Sequence, residues 1–68
     1  MLNQYMVEFS YQGPDKRIRE HDIFWATNTP EAVRECQYYY EDELHPDLKI
    51  TSVYKDAGTD WEKRSNWK

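Results

Sequence analysis

Between Tyr5 and Tyr11 the side chains alternate, with Tyr5, Val7, Phe9 and Tyr11 in one phase and Glu8 and Ser10 in the other. A period of two marks a strand with one face in a core and the other toward water. Any fold for this chain has to bury that row. The strand runs into Gln12-Gly13-Pro14-Asp15, where glycine tolerates unusual φ, proline presets its own φ and aspartate bonds back to local backbone, so a hairpin is expected. The return strand falls between Arg17 and Thr27, with Ile18, Phe24 and Ala26 in one phase and Ile23 and Trp25 in the other. Two arrangements reconcile these phases: a bulge near His21-Asp22, or a shorter strand after a long loop.

A helix start follows at Thr27-Asn28-Thr29-Pro30-Glu31-Ala32. Thr29 is suited to cap the free amides, Pro30 to the first helical position and Glu31 to the positive end of the dipole. Val33, Cys36, Tyr40 and Leu44, with Ala32, recur at spacings of three and four and form one apolar stripe. Pro46 disfavours helix at His45, which places the end near Leu44. Leu48 to Lys55 reads as a third strand, with Leu48, Ile50 and Tyr54 in one phase, before the turn at Ala57-Gly58.

This order predicts an α+β fold. A right-handed crossover from strand two through the helix sets strand three parallel to strand two, with strand one between and antiparallel to both. The expected sheet is three-stranded and antiparallel, in order 2-1-3, with one amphipathic helix packed on one face. Residues 1–58 make a single ββαβ domain, and residues 59–68 a tail carrying Trp61 and Trp67. Met6, Trp25, Val53 and the tail tryptophans are the candidates to cover the sheet's open face or to present it to something else.

A chain of 68 residues buries only about 60% of its unfolded surface, which leaves one thin core and no second substrate domain. Its longest apolar run, Ile23 to Ala26, is far short of the roughly 20 residues a membrane-spanning helix needs. The N-terminus lacks a basic-then-apolar leader pattern. The single cysteine, Cys36, cannot close an internal disulfide, which fits a reducing cytosol. The expected setting is cytoplasmic, with no membrane partner.

Chemistry is sparse. His21, Cys36 and His45 include no pair at the spacing that structural zinc sites favour, so no metal or other cofactor is expected. Cys36 lies on the apolar stripe, where a buried thiol is inert. His21 and Asp22 are neighbours on a strand and point to opposite faces. The consecutive acids Glu41-Asp42-Glu43 share one solvent and lack the separate environments an acid/base pair requires. Only Gly13 and Gly58 are present, so no phosphate-cradling loop exists. A non-enzymatic protein is the expectation.

Charge is more informative. The net charge is -4, yet Glu31 to Asp47 alone holds six acids against Arg34, a local -5 that leaves +1 for the remainder. A solvated outer helix face accounts for such a run in bland terms. The sharper reading is a docking face for a basic partner, in which acids speed association and aromatics supply affinity. With Tyr40 turned inward, Tyr38 points outward and Tyr39 lies at the border. The candidate partner-binding residues are Glu35, Tyr38, Tyr39, Glu41, Asp42, Glu43 and Asp47.

In size, acidity, cysteine poverty and element order the chain resembles small accessory proteins of phages and mobile elements, in particular anti-CRISPR proteins. The segments that carry the resemblance are Tyr5 to Tyr11, Thr29-Pro30-Glu31-Ala32, Glu41-Asp42-Glu43 and Leu48 to Lys55. It implies an inhibitor without chemistry of its own that blocks a basic surface on a larger protein or ribonucleoprotein defence complex in the host bacterial cytoplasm. Two alternatives stay open. One is a nucleic-acid-binding module using Arg17, Arg19, Lys63, Arg64 and Trp67, against the sign of the whole molecule. The other is a structural subunit that pairs with its own copy through the open face or an edge strand, as a homodimer.

Overall fold

The structure is a computed structural model that describes residues 1–41, 47–65 and 67, with the side chain of residue 41 excepted. It is an α+β fold of one helix on a four-stranded antiparallel sheet. The elements are β1 (Asn3–Gln12), β2 (Arg17–Ala26), α1 (Thr29–Glu41), β3 (Lys49–Asp56) and β4 (Trp61–Arg64), and the sheet order is β2-β1-β3-β4. The expected order 2-1-3 is contained in it. The expected tail instead begins with a fourth strand, because Gly58, at φ 97°, allows a turn closed by Ala57 N–H donating to the Asp60 carbonyl at 2.9 Å. That hairpin extends the sheet past β3.

β1 is central, and Tyr5, Val7, Phe9 and Tyr11 are all buried beneath the helix, as their alternation requires. Ala26, Ala32, Val33, Cys36 and Val53 complete the core. From the helix, Tyr40 packs against it with the Phe9 and Tyr40 ring centroids 4.7 Å apart. The expected end of the helix near Leu44 lies outside the described residues.

Three local expectations are corrected. β2 contains no bulge and no preceding loop, since its pairing with β1 runs unbroken from Asn3↔Ala26 to Gln12↔Arg17. The irregularity lies in β3, where Glu8 pairs with Ser52 but Phe9 with Ile50, so Thr51 is an extra residue. This bulge moves Ile50 and Val53, three residues apart, onto the same helix-facing side. Val53 is therefore core rather than a cover for the open face, and Tyr54 turns outward. The helix cap is also Asn28 rather than Thr29. Asn28 Oδ1 accepts the Glu31 amide at 2.9 Å, and the Asn28 carbonyl accepts the Ala32 amide at 3.2 Å. Thr29 is buried as the first helical residue and Pro30 follows it.

Glu31 closes the cap from the other side, accepting the Thr27 hydroxyl at 2.6 Å and the Thr27 amide at 3.3 Å. The Thr27 hydroxyl first, and then the amide, holds the Glu31 carboxyl below its usual range. Its contribution to stability is present above the ordinary carboxylate range and is lost as pH falls through the lowered folded value.

The first hairpin depends on Gly13. Its N–H donates to the Lys16 carbonyl at 2.8 Å, and a Cβ there would sit 2.8 Å from that oxygen and 2.7 Å from Ile18 Cδ1. The isoleucine tip is the flexible end of a side chain, whereas the carbonyl is held by the turn. Gly13→Ala should cost about 1–3 kcal/mol by overpacking, read as a lower midpoint in urea unfolding. A midpoint equal to the wild type would show that the turn relaxes freely.

Candidate partner-binding surface

The geometry of the surface begins beneath it. In unbroken register, Asp22 pairs with Val7 and Glu20 with Phe9, which puts two carboxylates in the helix-facing phase of β2. Asp22 is half-buried there and Glu20 exposed, and each carboxylate is hydrogen-bonded. The Tyr40 hydroxyl donates to Asp22 Oδ2, and the Ile23 amide donates to Asp22 Oδ1 at 2.8 Å. The Tyr11 hydroxyl donates to Glu20 Oε2 at 3.3 Å. The tyrosines thus supply an apolar ring to the core and a donor to each acid.

Titration in this cluster shifts in one direction. Burial, and then the hydrogen bond and charge of Asp22, raise the Tyr40 phenol well above its ordinary value. Burial and then Glu20 raise Tyr11. Burial, with a further push from Asp22, moves the Cys36 thiol up to about 12. At neutral pH that thiol is protonated, which is the opposite of an activated nucleophile. Among the described residues no three His, Cys, Asp or Glu side chains converge as a metal site, and no helix is long and apolar enough to cross a membrane.

Anchoring Tyr40 inward turns the neighbouring rings outward. Tyr38 is 83% exposed and Tyr39 63% exposed. Tyr39 is steadied edge-on by Tyr40 at 5.1 Å and by Phe24 at 6.4 Å between ring centroids. Glu35 is exposed on the same helix. Glu41 ends α1, its side chain lying outside the described residues, as do Asp42 and Glu43 entirely. Three of the seven candidate residues, Glu35, Tyr38 and Tyr39, are therefore displayed by the described helix surface.

Asp47 has a different environment. It bonds Arg17 Nη1 at 3.0 Å through Oδ2 and Arg17 Nη2 at 3.1 Å through its carbonyl, and accepts the Gln12 amide at 3.2 Å. Arg17 in turn covers Ser10, donating from Nε to Oγ at 2.9 Å. This clamp ties the approach to β3 onto the β1–β2 hairpin. Its signal in sequence was absent, because 30 residues separate the partners.

The cations of the nucleic-acid alternative are partly committed elsewhere. Arg17 faces Asp47, Arg64 pairs with Glu62 at 2.9 Å, and Trp67 packs against the core. Trp67 lines a cleft with Pro30, Val33, Arg34, Gln37 and Ile50 on the helix side of the sheet. Arg19 and Lys63 are exposed.

No family model matches this chain, and no curated protein or solved structure is detectably similar to it.

The raised phenols set the sign of the alkaline response. A group whose folded value lies above its unfolded value stabilises the fold below the unfolded value, near 10 for tyrosine, and that contribution is lost as pH rises beyond it. Stability should fall above about pH 10, and Tyr40→Phe should flatten this fall. The same substitution should cost about 1–3 kcal/mol at pH 7 by taking the donor from Asp22. Equal alkaline unfolding of the two proteins would sink the assignment.

Proposed function

We propose that this is a small non-enzymatic protein-binding protein that docks through the acidic, aromatic surface of α1 onto a basic surface of a larger protein or ribonucleoprotein. The observation that carries the reading is the outward display of Tyr38 and Tyr39 beside Glu35, on a helix whose inner face is anchored by Tyr40. Tyrosine gives much contact area at low entropic cost and is enriched among residues that dominate interface energies, and Tyr39 is further steadied by Tyr40 and Phe24. The six acids between Glu31 and Asp47 favour a cationic partner and faster encounter.

Inhibition of a host nucleic-acid-binding defence complex, in the manner of anti-CRISPR proteins in the bacterial cytoplasm, is the form of this function that best fits the resemblance in size, charge and element order. The net charge of -4 is small beside a duplex that carries two phosphates per base pair, so local blocking of a basic channel fits better than wholesale mimicry. Asp47 contributes to this surface through the clamp that positions the chain after the helix, rather than through a free carboxylate.

Affinity capture from nuclease-treated bacterial lysate should retain one large complex with the wild-type protein. Tyr38→Ala and Glu35→Lys, both at exposed positions, should reduce that capture together, with Tyr38→Ala weakening it by roughly thirtyfold if it behaves as an interface hot spot. Thermal midpoints should stay at the wild-type value. Capture that persists in both variants, or that vanishes with nuclease alone, would remove the helix surface as the docking site.

A further inference from the structure

The opposite face of the sheet is divided: Glu8, Arg19, His21 and Ser52 make one end polar, and the other end carries an apolar row. The registers place Ile23, Met6, Tyr54 and Lys63 in one row across all four strands. Trp25 and Trp61 stand at the two outer strands one step along, paired with Gln4 and Asp56. Trp25 is 61% and Ile23 44% exposed, and Met6, Tyr54 and Trp61 are half-buried. The helix packs on the other side, against the phase that holds Tyr5, Val7 and Phe9, and among the described residues no element covers this row. An antiparallel sheet that leaves one face in water normally makes that face polar.

We propose that this face is the interface of a symmetric homodimer, in which two sheets stack to give a helix–sheet–sheet–helix sandwich. The pattern is self-complementary. A two-fold axis lying between the sheets, along the strands and midway between β1 and β3, sets β2 over β4 of the second copy and β1 over its β3. Trp25 then meets Trp61, Met6 meets Tyr54, and Ile23 meets the aliphatic stem of Lys63. These are an aromatic pair, a thioether on a ring and an apolar contact with the ammonium free to reach water. Each contact occurs twice, as an isologous interface demands.

Charge favours a second copy in this orientation. Glu31 and Glu35 stand on the helix, so stacking the sheets keeps these acids of the two copies on opposite outer surfaces. On the facing surfaces, Glu8 of β1 comes over β3 of the other copy, one step from Lys49. The area is sufficient. Four strands about 4.8 Å apart and up to ten residues long at about 3.3 Å each present on the order of 500 Å² in projection. Side-chain relief brings this to the lower end of stable interfaces, about 600 Å² per partner. Stacked sheets with inner faces interdigitated are also an established way to bury such rows.

Sedimentation equilibrium of the full chain from about 1 μM to about 500 μM should show a mass rising from that of the monomer to twice that value. Trp25→Glu should raise the dissociation constant at least roughly thirtyfold, and its far-ultraviolet circular dichroism should match the wild type because Trp25 lies outside the monomer core. Tyr38→Ala, on the helix, should leave the mass unchanged, which separates this interface from the docking surface proposed above. A chain that stays monomeric throughout would overturn the proposal. So would a dimer indifferent to Trp25→Glu, which would point to strand-edge pairing. Salt-sensitive quenching of tryptophan fluorescence by a thymidine oligomer of about a dozen nucleotides, with no self-association, would assign the face to nucleic acid instead.

Discussion

The unbroken pairing of β2 with β1 sends Asp22 and Glu20 toward the helix, and the rest of the structure depends on how those two carboxylates are satisfied. A strand has only two faces, so a register that turns Ile18 and Phe24 toward the helix must carry the intervening residues of that phase, Glu20 and Asp22, inward with them. Each acid meets a tyrosine hydroxyl, Asp22 that of Tyr40 and Glu20 that of Tyr11. The Tyr40 bond fixes the rotation of α1 about its own axis. With residue 40 pinned against β2, residues 38 and 39 stand roughly 200° and 100° around the helix from it. The exposed tyrosines are thus a consequence of this half-buried polar contact, and the aromatic surface is set by the packing beneath it.

Legibility in the sequence followed how local each signal was. The β1 alternation and the helical stripe of Val33, Cys36 and Tyr40 are periodic within one element, and both appear in the structure as read. Topology followed from element order, since a central β1 is what a crossover after a hairpin produces. The second strand was harder because its two apolar phases are both real. Ile18, Phe24 and Ala26 face the helix, whereas Ile23 and Trp25 face outward, and no bulge is needed once tyrosine hydroxyls donate to the acids between them. The bulge sits at Thr51, where neither glycine nor proline advertises it. β4 was hidden by its shortness, four residues with three charges, which propensity alone does not separate from a solvated tail.

The candidate surface was legible to the same degree. Tyr38 and Tyr39 were placed outward by helical geometry, which is local. The role of Asp47 was not, because it rests on an ion pair and two backbone contacts to a hairpin far away in sequence. That clamp also rearranges the electrostatics: pairing Arg17 with Asp47 takes one cation from the basic end of β2 and one anion from the acidic span. The helix keeps its excess of acid, and Lys16, Arg19 and Lys49 are exposed cations at that end of the sheet.

The two sides of the molecule consequently present different side chains. The helix side joins negative charge to phenolic rings, a combination suited to rapid encounter with a basic surface. The sheet side sets Ile23, Met6 and Tyr54, with Trp25 and Trp61 one step along, beside a polar end that holds Glu8, Arg19 and His21. A face-to-face dimer would leave both helix surfaces free and pointing apart, one on each outer layer. Each would then reach a separate copy of a basic target, or separate subunits of one assembly. Linking two weak contacts in this way raises the effective concentration of the second once the first has formed, and avidity grows without any new contact. For a chain of 68 residues with so small a core, sharing one face with a copy of itself also adds buried area to what the single chain supplies.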